Sequence, residues 1–395
     1  MKEKGDLGLY LHVPFCKSKC AYCDFYSLPH AEDLMDDYLR ALTEHLVEVA
    51  PHFTAQRVDT VYVGGGTPSY FGVKRLEKLL STVKKYYKVD RAAEVTVEMN
   101  PDSVGTVKEL KGLRRAGVNR VSLGMQAADD ETLRNIGRIH TAEQVRQAVE
   151  NLRKAGIKNL SLDLIYGLPG QTGETWAATL EAALGLAPEH LSCYGLKVEE
   201  GTPLANRDNT DLPDDDAQAD MYSDTVETLK RAGYGQYEIS NFAKPGYESR
   251  HNLRYWQMKE YLGFGPGAHS DVNGVRFAYE KDLEAYIRGD WRLSEREEIP
   301  PLERDMEYIM LSLRTAEGID KITFENTYRQ SFAPMEKLFE TYESHGFARR
   351  TEKGWCLTPE GFFVSNSIIV ALQEAVGEKK MQKLRQAQEG NFRIV

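Results

Sequence analysis

Cysteine is scarce in this chain and poorly placed for cross-linking. Of five in 395 residues, three fall within Cys16–Cys23, while Cys193 and Cys356 stand alone. That count excludes a disulfide-stapled scaffold and fits a reducing compartment. The isolated pair read as small buried hydrophobes. Long apolar runs are absent too: nothing spans a bilayer, and the first residues carry no signal-peptide pattern, so a cytoplasmic location is expected. Positive charge is in deficit, with 50 Lys and Arg against 60 Asp and Glu, a formal charge of −10. A broad nucleic-acid surface is therefore not expected, and nucleic acid is not among the anticipated partners. The length calls for one large domain and a smaller one.

What is present is a β-α alternation. Leu7–Val13, Val58–Val63, Glu94–Glu98, Val118–Gly124, Asn159–Ile165 and His190–Leu196 read as strands. Between them Leu34–Val49, Val73–Tyr87, Val104–Ala116, Ala142–Ala155 and Glu174–Leu186 have helical periodicity, with a short helix near Asp130–Asn135. Gly117 and Gly156 are placed as C-caps. Repeated units of this kind predict parallel strands with helices outside, as a doubly wound sheet or a full or partial barrel, with ligands at the C-terminal strand ends. After a loop at Glu199–Asp216 and a helix at Ala217–Ala232, an aromatic and glycine-rich stretch runs to Ser270. Beyond Pro300-Pro301 come helices at Glu303–Leu313, Phe324–Tyr328 and Met335–His345, a hairpin at Ala348–Leu357 and a helix at Pro359–Leu372, a winged-helix-like order. Four segments are expected: 1–235 as the α/β barrel, 236–300 as its extension and connection, 301–377 as a mainly helical domain, and 378–395 as a polar tail.

The chemistry concentrates just after predicted strands. Cys16, Cys20 and Cys23 form C-K-S-K-C-A-Y-C with no fourth cysteine nearby. Three readings compete. A structural zinc site would need a fourth ligand such as His12 or His30. An electron-transfer cluster would normally take four cysteines. A [4Fe–4S] cube held at three corners would leave one iron open to a ligand. Gly64-Gly65-Gly66-Thr67-Pro68 follows the next strand and lets backbone groups approach a ligand closely. Glu98 and Asp163, taken singly, read as a solvated strand end or a helix cap; beside the cysteines and glycines they read as a cofactor pocket.

C-K-S-K-C-A-Y-C followed by G-G-G-T-P resembles the radical S-adenosylmethionine superfamily. Leu9–Phe15 and Asp163–Pro169 are similar to its oxygen-independent coproporphyrinogen III oxidase branch, over most of the chain. The resemblance implies a partial (β/α)6 barrel with a C-terminal, mainly helical domain. It also implies a [4Fe–4S] cluster whose open iron is chelated by S-adenosylmethionine, with an electron donor still to be identified. Carried over by motif, Cys16, Cys20 and Cys23 ligate the cluster. Tyr10 and Tyr22 flank cluster and nucleoside, Gly65, Gly66 and Thr67 meet the methionine end, and Glu98, Gln126, Arg138 and Asp163 complete the pocket.

Two departures divide the branches. Phe25 stands where the oxidases carry a further cysteine, and only about six residues precede the first strand. Gly137–His140, His251–Trp256 and Gly263–Ser270 are instead similar to the heme chaperone branch. That branch implies heme as cargo, delivered to respiratory hemoproteins, with membrane contact expected only through those recipients; a homodimer is one assembly it allows. His251 is the candidate axial ligand, with Tyr255 and Trp256 able to pack on a macrocycle. From the residues alone, a helix-capping core histidine is the simpler reading of His251. The oxidase activity, radical decarboxylation of propionate side chains, is the alternative function.

Overall fold

The computed structural model describes residues 6–377; the expected polar tail at 378–395 lies outside them. Six parallel strands follow one another in chain order across the main sheet: β1 (Leu7–Val13), β2 (Val58–Gly65), β3 (Val89–Met99), β4 (Arg120–Gln126), β5 (Asn159–Tyr166) and β6 (His190–Gly195). Helices α1 (Met35–Val49), α2 (Val73–Tyr86), α3 (Val107–Ala116), α4 (Ala142–Ala155) and α5 (Gly173–Gly185) connect them. This is the expected partial (β/α)6 barrel. The helix starts are chemically marked: Thr106 and Glu109 form one capping box, Thr141 and Gln144 another. Gly117 and Gly156 end α3 and α4 in the left-handed conformation that a Cβ would oppose.

The strands differ from a fully apolar parallel sheet in one respect. Val61, Val63, Val95, Val97, Val121, Leu123, Leu160, Leu162 and Leu191 join the hydrophobic core. The alternate residues Tyr62, Glu98, Arg120, Ser122, Asp163 and Ser192 line a cavity inside the barrel. Period-two alternation thus separates an apolar outer face, covered by helices, from a polar well.

Residues expected as extension and connection extend the sheet at both ends. Asn241–Ala243 pairs antiparallel with β6, and Tyr261–Phe264 pairs parallel with β1. His269–Val272, Val275–Tyr279 and Leu293–Glu298 continue outward as antiparallel strands. By contacts, the chain through Gly235, with Ser240–Arg254 and Lys259–Glu298, forms one compact unit. Gln236–Ile239, Tyr255–Met258 and residues 299–377 belong to a second.

The second unit carries helices Asp305–Ser312, Lys321–Tyr328 and Ala333–Ser344 and a three-stranded sheet of Ile319–Asp320, Gly354–Leu357 and Ala348–Arg350. The helix expected over Pro359–Leu372 is interrupted: Pro359–Phe363 ends at Val364 (φ −103°, ψ 16°), and a further helix occupies 365–377. The core of this unit is an aromatic stack, with Phe332 on Phe339 at 6.0 Å and Phe339 on Trp355 at 5.2 Å. Arg350 lies over the indole at 4.3 Å. Among the described residues no helix is long and apolar enough to cross a membrane. Trp355→Ala is expected to cost about 3–5 kcal/mol, read as lost amide protection across residues 305–377. Unchanged protection would mean that the stack is not the core of this unit.

Candidate functional site

The cavity at the C-terminal ends of the strands has a volume of ≈ 410 Å³. Its wall includes all three clustered cysteines, together with Tyr22, Gly65, Gly66, Thr67, Glu98, Gln126, Arg138 and Asp163. The cysteine loop is pinned from outside. Ala21 donates its N–H to the Ile136 carbonyl at 2.9 Å, and Leu204 donates to the Ala21 carbonyl at 2.8 Å. Each thiol has a neighbouring donor. Thr67 Oγ1 donates to Cys16 Sγ at 3.4 Å and Arg138 Nη1 to Cys20 Sγ at 3.5 Å, while the Phe25 amide faces the Cys23 sulfur. Donors aimed at sulfur suit thiolates. Burial pushes the Cys16 thiol up, and Cys23 up to about 11, so without a metal these two stay protonated. Among the described residues no three His, Cys, Asp or Glu side chains could hold one metal ion. Three thiols lining one cavity are the donor set that a [4Fe–4S] cube takes at three of its corners.

Two of the cysteines are joined through a side-chain bracket. Thr67 Oγ1, the donor to Cys16, accepts from Asn100 Nδ2 at 3.1 Å. Asn100 Oδ1 accepts from Arg138 Nη2 at 2.8 Å, and Arg138 reaches Cys20 through Nη1. The same Nη2 donates to the Gly124 carbonyl at 3.0 Å. Asn100 was not among the expected site residues; its only signal was its place after β3 in Glu98-Met99-Asn100-Pro101.

The glycine turn is close-packed. A Cβ on Gly66 would sit 2.8 Å from the Phe15 carbonyl, and Gly65 has φ +115°. Its amides are already committed: Gly65 N–H to Glu98 Oε2 at 3.1 Å, Gly66 N–H to Val13 at 2.9 Å and Thr67 N–H to Phe15 at 2.7 Å. What this turn can offer a ligand is therefore carbonyl oxygen, which suits an ammonium.

Both carboxylates sit deep in the well. Burial raises Glu98 to about 7, against the opposing hydrogen bond from Tyr62 Oη at 2.7 Å. Asp163 is also raised by burial, yet Ser122 Oγ donates to it at 2.8 Å and Ser161 Oγ at 3.2 Å, with Ser192 assisting. Gln126 has φ +65°, beside the register shift between β4 and β5. A non-glycine residue held there is a common mark of a functional strand end.

Two expected residues lie elsewhere. Tyr10 is not in the cavity wall; it stacks behind Tyr62 at 6.2 Å, and its hydroxyl pairs with His12 Nδ1 at 3.0 Å. His251, expected as a heme ligand, is 1% exposed and also outside the cavity wall. Its Nδ1 pairs with Thr60 Oγ1 at 2.9 Å and its ring stacks on Tyr62 at 5.1 Å. Glu94 accepts its backbone N–H at 3.0 Å. So enclosed a ring has the surroundings of the core histidine that the residues alone suggest, not those of an open axial position. Its neighbour Asn252 does reach the cavity.

Asn100→Ala is expected to lower iron retention of the reconstituted protein against a chelator by about tenfold. Retention equal to wild type would show that the bracket does not support the cysteines.

The comparisons with known proteins agree with this geometry. The Radical SAM superfamily model matches residues 10–183 and the HemN C-terminal domain model residues 299–364. The heme chaperone HemW of Haemophilus influenzae is 34% identical over 93% of this chain and 98% of that protein. HemW of Bacillus subtilis is also 34% identical, over 92% and 98%. In structure, coproporphyrinogen III oxidase (HemN) from Escherichia coli, a radical SAM enzyme, matches with a TM-score of 0.82 at 25% identity, over 93% of this chain and 90% of that one. With near-complete coverage of relatives at this identity, three cysteines on one barrel loop and the matching C-terminal unit, the chain belongs to the heme chaperone HemW family of the radical SAM superfamily.

Proposed function

We propose that this protein is a cytoplasmic heme chaperone that binds a [4Fe–4S] cluster, S-adenosylmethionine and heme, and passes heme to respiratory hemoproteins. The observation that carries the reading is identity to HemW proteins across almost the whole chain. Cys16, Cys20 and Cys23 hold the cluster. When bound, cluster and cofactor together supply one-electron cleavage of the sulfonium to methionine and a 5′-deoxyadenosyl radical.

The chain's own groups bind and orient. Gly65 and Gly66 carbonyls with Glu98 take the ammonium of S-adenosylmethionine, Arg138 gives its carboxylate a countercharge, and Asp163 with Gln126 takes the ribose. Tyr22 packs beside the nucleoside, and Tyr10 supports Tyr62 from behind. Glu98 is mostly neutral below about pH 7 and charged above it. Affinity for this cationic ligand should therefore tighten as pH rises through about 7, and Glu98→Gln should flatten the profile. Equal profiles in a calorimetric titration would remove Glu98 from the site.

The functional test pairs two assays on anaerobically reconstituted protein. The reading expects a Soret shift on adding heme and no conversion of coproporphyrinogen. Conversion to protoporphyrinogen without heme binding would favour the oxidase instead.

A further inference from the structure

His251 being enclosed leaves the heme site open, and the cavity mouth offers an alternative. Phe25, two residues beyond Cys23, is 64% exposed although it lines the cavity. Tyr194, near the end of β6, is 41% exposed and lines the same mouth. Two partly exposed rings on one cavity rim offer apolar surface to a ligand there. Lys19 and Lys197 stand on the same rim. Lys19 donates only a 3.4 Å bond to the Phe25 carbonyl. Lys197 pairs with Glu199 at 2.6 Å and, with Asp24 nearby, is held firmly charged. Two exposed rings flanked by two ammonium groups complement a flat apolar macrocycle bearing two carboxylates. The interior does not offer that complement, because its wall carries Glu98, Arg120, Gln126 and Asp163, polar groups that suit the cofactor and not a flat apolar ring.

Resting on the chaperone reading, we infer that heme binds across the cavity mouth, stacked on Phe25 and Tyr194 with its propionates paired to Lys19 and Lys197. Recognition then comes from the ring and its carboxylates, not from a histidine bond to iron. The cargo lies over the cofactor, and Glu199 competes with a propionate for Lys197, which favours release.

Titrations of the reconstituted full chain with hemin, iron-free protoporphyrin IX and its dimethyl ester test this. Wild type should bind hemin and protoporphyrin alike. Phe25→Ala and Tyr194→Ala should each weaken both by about five- to tenfold, with unchanged iron content as the control on the fold. Lys19→Glu with Lys197→Glu should weaken the free acids and spare the ester, and His251→Ala should leave protoporphyrin affinity unchanged. Hemin binding that ignores the rim variants, or that needs both iron and His251, would overturn the rim site while leaving the chaperone reading intact. Rim variants that keep hemin but lose capture of a recipient hemoprotein would overturn it too, making the face a protein-docking surface. No hemin binding by wild type would instead defeat the chaperone reading itself.

Discussion

Buried charge inside the barrel is the constraint on which the rest depends. Glu98, Asp163 and Arg120 occupy the inward face of strands whose other face is valine and leucine. Burying such groups costs several kcal/mol per ion unless each is paired and hydrogen-bonded. For the two carboxylates the barrel meets that cost locally: Tyr62 and the Gly65 amide serve Glu98, and serines from β4, β5 and β6 surround Asp163. An apolar filling would make a more stable barrel. Retaining a polar well makes sense when a cationic, hydroxyl-rich ligand completes it.

The cysteine loop depends on that well. Thr67 follows the glycine turn, Asn100 follows β3 and Arg138 follows β4 and the short helix Asp130–Asn135; together they link Cys16 to Cys20. The strand ends thus set where two sulfurs stand. The turn that supplies Thr67 also supplies the Gly65 amide to Glu98, so cluster loop and carboxylate share one rigid support. Rigid placement of this kind is what a site built on strand ends offers over one built on loops alone.

Much of the fold was legible because the strands and helices carry strong periodicity and chemical punctuation. Helix Ala142–Ala155 begins at Thr141 and stops at Gly156, as the residues indicate. The pocket residues that form recognisable motifs were legible too. Those that were missed, Tyr62, Asn100 and the three serines, act through partners on other strands. Strand register, not sequence spacing, brings Ser122, Ser161 and Ser192 to one carboxylate. The trace they leave is a polar residue at every second position of otherwise apolar strands. The same holds for His251: Tyr255 and Trp256 are its neighbours in sequence, but Thr60 and Tyr62 are its neighbours in space.

The central claim is that three cysteines hold a cluster with one iron left for S-adenosylmethionine inside this well. Electron paramagnetic resonance of the reduced, fully loaded protein, recorded with and without S-adenosylmethionine, tests it most directly. Binding at the open iron predicts a changed g-tensor in wild type, and a loss of that change in Glu98→Gln at matched cofactor concentration. An unchanged spectrum at saturating S-adenosylmethionine, with four irons per chain, would contradict the account.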